Sequence, residues 1–151
     1  FGLSQPQTNY WMHRLLPVLR RALVALDMAP ERDASRVATS PLRLEGAPAG
    51  ALDGTERRRQ RPTAAAKQIA HYSGKKKAHT DKNVLLINEY TSKVVYQSPT
   101  VAGKTHDKKA VDEADLVYPV NSTLDKDTGF QGYEPAGVLP QQPKKSPEAR
   151  S

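Results

Sequence analysis

Two aspartates stand out as residues that could do chemistry together. Asp53 opens the run Asp53-Gly54-Thr55-Glu56, and Asp127 opens Asp127-Thr128-Gly129-Phe130-Gln131-Gly132-Tyr133. Each sits where a short apolar stretch meets a glycine turn, so each is expected at the end of a strand. Carboxylates are hard oxygen ligands that suit Mg²⁺, and two of them on neighbouring strand ends are the minimum for holding that ion in phosphoryl transfer. Between them lies Tyr72-Ser73-Gly74-Lys75-Lys76-Lys77, a basic segment suited to a polyanionic substrate. Taken singly, either aspartate also reads as an ordinary turn residue. The ordered set argues for more.

The elements that must position these residues follow from periodicity and turn chemistry. Trp11, Leu15, Val18, Leu19, Ala22, Leu23 and Leu26 recur at helical spacing and predict one buried face. Ser4 and Gln7 have capping-box spacing, with Pro6 tolerated in the first turn. Pro17 is expected to end or kink this helix, giving one helix from Ser4 to Leu16 and a second from Pro17 to Met28. Gln7, Asn9, His13 and Arg14 would then lie on the outer face of the first. Residues 30–49 carry Pro30, Pro41, Gly46 and Pro48 without a period and read as a linker.

From residue 50 the pattern changes to strands. Ala51-Leu52-Asp53 is a short apolar approach, and Asn83–Asn88 with Lys93–Ser98 read as a hairpin around Tyr90-Thr91-Ser92. His106 to Val117 reads as a helix with Ala110, Val111, Ala114 and Val117 on one side. Asn121–Asp127 and Gly137–Gln142 complete the strands, and the polar tail beyond Pro143 is expected to be disordered. The predicted class is mixed α/β and α+β.

Composition narrows the partners. The 151 residues carry a net charge of +7, with the basic residues clustered, which is the footprint of a nucleic-acid partner and also of a basic solvated surface. There are no cysteines, so disulfides and thiolate metal sites are excluded. No stretch approaches a membrane span and there is no signal peptide, so a cytoplasmic protein is expected.

Several motifs in a fixed order carry a family resemblance. The run Asp53-Gly-Thr-Glu-Arg-Arg-Arg-Gln-Arg-Pro62, then Tyr72-Ser-Gly-Lys-Lys-Lys77, His79-Thr80, Lys82-Asn83, Gly103-Lys-Thr-His-Asp107 and Asp127-Thr-Gly-Phe-Gln-Gly-Tyr133 resembles bacterial insertion-sequence transposases of the DDE superfamily. The likeness extends to Gln142-Pro143-Lys144-Lys145 and back into the N-terminal helices. It implies a partial RNase H-like domain over 50–143, a helical segment over 1–29 that corresponds to part of a helix-turn-helix, and a tail over 144–151. It implies Asp53 and Asp127 as catalytic and metal-binding residues, with Mg²⁺ or Mn²⁺ as cofactor. It also implies double-stranded DNA as partner, a homo-oligomer on DNA, and association with the nucleoid. Arg57, Arg58, Arg59, Arg61, Lys75, Lys76 and Lys77 would contact phosphates, and Gln7, Asn9, His13 and Arg14 would face DNA from the first helix.

The family's third acidic residue is expected on a helix well beyond Lys145. Glu148, in Ser146-Pro147-Glu148-Ala149-Arg150, lacks that context, so the expectation is a fragment with two of three carboxylates, inactive alone. A non-catalytic DNA-binding protein and a basic RNA-binding protein are the competing readings. The second is disfavoured by the 6% aromatic content. Glu56 is read either as orienting the first aspartate or as solvated, and Asp107 as a cap for the helix after it.

Overall fold

The structure, a computed structural model, describes residues 2–42 and 49–141. The expected tail and the motif Gln142–Lys145 lie outside the described residues. Seven strands form one mixed sheet: β1 (Ala49–Arg58), β2 (Tyr72–Ser73), β3 (Ala78–Asn88), β4 (Val94–Gln97), β5 (Val101–Ala102), β6 (Ser122–Lys126) and β7 (Val138–Gln141). Three helices accompany them: α1 (Gln5–Ala25), α2 (Ala65–His71) and α3 (Asp107–Asp112). No helix of the described residues is long and apolar enough to cross a membrane.

The longest strand, β3, organises the sheet. One of its edges pairs antiparallel with β1, from Gly50↔Asn88 to Arg58↔Thr80. Its other edge takes β2, β5 and β4 in turn, all antiparallel. Beyond β1 the sense changes: β6 runs parallel to β1, and β7 parallel to β6. The order β4-β3-β1-β6-β7, with an antiparallel meander followed by two parallel strands, is that of an RNase H-like sheet preceded by a helical segment.

Strand alternation sorts the side chains onto two unequal faces. Leu52, Val84, Leu86, Val95, Leu124 and Val138 are buried on one face, beneath Val37, Leu42, Ala110, Val111, Leu116 and Phe130. The opposite face carries half-exposed Ala51, Leu85, Ile87 and Thr123, and Leu139 at 65% exposure. The core is therefore one-sided.

The hairpin forms where it is expected because Asn88 builds its turn. The Asn88 side-chain oxygen accepts from the Tyr90 and Thr91 amides, and the Ser92 amide donates to the Asn88 carbonyl. Ser92 takes a positive φ of 56° to close it.

Four expectations are corrected. The N-terminal segment is one continuous helix that passes through Pro17. The ring's fixed φ is helical, and the lost amide frees only the carbonyl of His13, an exposed residue that water can satisfy. No residue of α1 is buried, so its apolar stripe does not face a core: Trp11, Leu15 and Leu19 are about half exposed and only Leu23 is more covered. The described part of the expected linker packs on the sheet instead. Glu31 bridges to Tyr96, a short 3-10 turn runs from Ala34 to Thr39, and Val37 and Leu42 enter the core. The helix expected over His106–Val117 spans only Asp107–Asp112, because Asp115 turns to a positive φ of 50° and Val117 stays exposed.

Candidate active site

Register brings the two aspartates together. The last parallel pair of β1 and β6 is Leu52↔Lys126, and Asp53 and Asp127 are the next residue on each strand. Adjacent strands lie about 4.8 Å apart, so the two residues are backbone neighbours where β6 ends. Asp53 itself is in the middle of a ten-residue strand, since β1 continues against β3 to Arg58; the strand end expected there belongs to its neighbour β6.

Each carboxylate is oriented by the backbone that follows it. Asp53 Oδ1 accepts from the Gly54 amide at 2.8 Å, and Asp127 Oδ1 accepts from the Thr128 amide at 2.6 Å. The latter caps the short 3-10 turn Thr128–Phe130, whose Phe130 is fully buried and anchors the turn in the core. Both aspartates remain exposed to solvent.

Beneath them lies a third carboxylate with a different task. Asp107 opens α3 and pairs with Lys82 of β3, Nζ to Oδ1 2.8 Å. Lys82 is buried, and its ammonium also donates to the Thr105 carbonyl at 2.8 Å. Asp107 fits against both glycines that follow the aspartates. A Cβ on Gly54 would stand 3.0 Å from Asp107 Oδ1, and one on Gly129 would stand 2.7 Å from Oδ2. Glycine at both positions lets one carboxylate approach both the β1 backbone and the turn Thr128–Phe130. Asp107 is thus an ion-paired wedge and does not cap α3: the N-cap residue is His106, and the Asp107 carboxylate is turned toward β3.

An open cleft of about 550 Å³ spreads from Asp53. Its walls include Glu56, Tyr72, Lys75, Lys76, Lys82, Lys104, His106 and Asp107. Lys75 and Lys76 sit on the turn between β2 and β3 and line the same cleft as Asp53. Lys77 lies on the same turn at a φ of 48° but does not line the cleft. Glu56 accepts a hydrogen bond from the Thr80 hydroxyl at 3.1 Å, which fixes it to β3 and not to Asp53.

The other basic residues divide. Arg57 donates to Asn83 Oδ1 at 2.8 Å, and Arg59 pairs with Asp81 at 2.9 Å, so both hold neighbouring strands together. Arg58 is exposed, and Arg61 is held by Gln68 of α2 through Nε (3.0 Å) and Nη2 (2.8 Å). On α1, the Gln7 side chain accepts from the Ser4 amide at 3.0 Å, the capping-box contact its spacing suggests. Arg14 bonds to the Tyr10 hydroxyl and lies over the Tyr10 ring. Asn9 and His13 are exposed, and the structure does not bring any of these four to the cleft.

A separate carboxylate pair is formed by Glu89, in the turn just past β3, and Asp125 of β6. The cost of stripping water from Glu89, together with the neighbouring Asp125 carboxylate, holds the Glu89 carboxyl above its ordinary value. Among the described residues no cluster of three or more histidine, cysteine or acidic side chains could hold a metal ion. Sequence reasoning passed over the wedge role of Asp107 and the place of Lys104 in the cleft. Lys82, two residues before the apolar run Val84–Ile87 of β3, was the available signal.

Comparison with known proteins adds one positive finding. The family model described as DDE superfamily endonuclease matches residues 52–150, a span that begins beside Asp53 and includes Asp107 and Asp127. No curated protein and no solved structure matches the chain. With a mixed sheet in the RNase H-like order and a family match over most of its length, the chain belongs to the DDE superfamily endonucleases.

Proposed function

We propose that the chain carries the metal-binding half of a transposase active site, which cleaves and transfers DNA strands in a Mg²⁺- or Mn²⁺-dependent reaction. The observation that carries this reading is the parallel register that makes Asp127 the neighbour of Asp53, which itself lines a lysine-rich cleft. The donor set fits the ion: Mg²⁺ is commonly held by one or two carboxylates together with water and substrate phosphate. When bound there, it would neutralise charge on the phosphate and lower the pKa of an attacking water.

The remaining roles belong to the chain's own residues. Asp53 and Asp127 supply the carboxylate oxygens, each aimed by its own following amide. Lys75 and Lys76 attract the phosphate backbone and hold it against the cleft. Asp107 and Lys82 hold the Gly129 turn against Gly54 of β1, so the carboxylates need no rearrangement when the strand arrives. Of the three acidic residues that the family resemblance implies, Asp53 and Asp127 are two, and among the described residues no cluster of three forms.

That same count supports a second reading, in which the chain binds DNA without turnover. One experiment separates the two. Nicking of supercoiled DNA is followed with Mg²⁺ or Mn²⁺, and DNA affinity is measured in the same samples for the wild type and Asp53→Ala. Nicking that disappears in the variant while affinity holds supports catalysis. Unchanged affinity with no nicking in either protein supports the binding reading. Residual nicking of equal rate in Asp53→Ala would remove Asp53 from the chemistry.

A further inference from the structure

Beside the cleft is a second hollow of about 490 Å³, formed by Arg61, Gln68, Ile69, Tyr72, His79 and Lys104. Tyr72 and Lys104 line both, so the two are continuous. We infer that this hollow receives an unpaired nucleobase of the DNA strand whose phosphate lies at Asp53. The inference rests on the proposed DNA reading and extends it to a specific site.

The chemistry of the lining differs from that of a solvated basic surface. Ile69 is 64% exposed and Tyr72 46% exposed, in the midst of cations that keep most apolar groups away. The Tyr72 and His79 rings meet edge to face, with centroids 5.6 Å apart, which leaves aromatic surface open at the hollow. Every base has an apolar π-face, so an aromatic wall next to cations is a platform for a base with its phosphate attached. The volume also lies within the range of about 300–1,000 Å³ that small-ligand sites occupy.

The walls are held in place from behind. Gln68 fixes the Arg61 guanidinium through two hydrogen bonds, so it is already presented at the rim. The amide of Lys104 donates to the Ala70 carbonyl at 3.1 Å, which ties the far wall to α2. At the end of α2, His71 meets Asp81 at 3.0 Å and the Thr80 carbonyl at 3.2 Å, which anchors the helix to β3. Duplex bases are stacked inside the helix and cannot enter such a hollow. A base at a single-stranded end or at a disrupted step can, at the cost of unstacking.

The test compares the full chain's affinity for two DNAs by fluorescence anisotropy in EDTA: a blunt duplex, and the same duplex with a three-nucleotide single-stranded end. The expected result is tighter binding of the second by roughly 5- to 150-fold, the range that stacking of one base spans. Ile69→Ala, at a residue that lines this hollow and not the cleft, should reduce that preference while blunt-duplex affinity stays within about twofold. Tyr72→Ala should bring the ratio of the two affinities close to one, and Tyr72→Phe should retain the preference. Equal affinity of the wild type for the two DNAs would overturn the inference and leave the DNA reading intact. So would an Ile69→Ala variant that weakens both DNAs alike. Failure to bind either DNA would overturn both.

Discussion

Asp107 is the residue that packs against the backbone following both Asp53 and Asp127. Its carboxylate is neutralised by Lys82, a side chain only 11% exposed, and it touches the positions of Gly54 and Gly129 at once. Asp107→Asn leaves the Lys82 ammonium without a counter-charge. We expect a loss of about 3 kcal/mol in urea denaturation, the lower end for a broken buried pair, because 28% of the Asp107 side chain still meets water. Gly129→Ala should cost about 1–3 kcal/mol through its clash with Asp107 Oδ2. Removing that carboxylate in Asp107→Ala should relieve the clash, so the double variant is expected to be more stable than the sum of the singles. Strict additivity would show that Gly129 is required for some other reason. Glu89 gives a prediction in pH. Its carboxyl is raised in the folded chain from 4.5, so folding favours the protonated form and stability declines as pH rises from about 4.5 through the folded value. Glu89→Gln should therefore melt at a higher temperature than wild type at pH 7, with the difference vanishing below pH 4. A constant difference across that range, read by thermal unfolding, would show that the charge is not responsible. In the sequence Asp53 and Asp127 were singled out by the glycines near them, yet Gly54 lies within β1 and, of Gly54 and Gly129, only Gly129 lies in a turn. The wedge role of Asp107 was not legible, because Lys82 lies on a distant strand and no local pattern encodes that pairing.

Among the elements, the hairpin was legible because its turn chemistry is local. Asn88 is nearly fully buried: its oxygen takes two amides of the turn and its nitrogen donates to the Leu42 carbonyl at 3.0 Å. Asn88→Ala should lower stability by about 2–3 kcal/mol, since it strands buried polar groups on both sides. Asn88→Asp should recover part of this, because it restores the two acceptor bonds but not the donor to Leu42. Denaturant midpoints that rank the two variants in the opposite order would contradict this assignment. Other elements were less legible. Helix α2 has seven residues, begins after Ala64 without a side-chain cap and buries nothing, so neither periodicity nor capping announced it. The stretch from Glu31 to Leu42 was read as linker because its contribution is a strand bridge and two apolar side chains, too sparse to give a period. Helix α1 shows the opposite error. Its periodicity is real, but a regular apolar stripe identifies a helix without showing that anything covers it.

The described residues form a one-sided sheet, with Asp53 and Asp127 where β6 ends and Lys75 and Lys76 on the turn between β2 and β3. The net charge of +7 is consistent with a polyanionic partner, and the lysines of the turn after β2 bring part of it to the rim of the cleft that holds Asp53. Fold order was recoverable from the succession of strands and turns. What composition alone could not supply was the sense of pairing, antiparallel for β1 with β3 and parallel for β1 with β6, and that sense is what makes Asp53 and Asp127 neighbours. The central claim is that these two carboxylates share a divalent ion. It is tested most directly by adding substoichiometric Mn²⁺ to the ¹⁵N-labelled chain and following the backbone amide resonances. The expected result is paramagnetic broadening centred on Gly54, Thr128 and Gly129, lost in Asp53→Asn and in Asp127→Asn. Broadening centred instead on Glu89 and Asp125, or broadening at Gly54 that survives both substitutions, would contradict a metal site shared by Asp53 and Asp127.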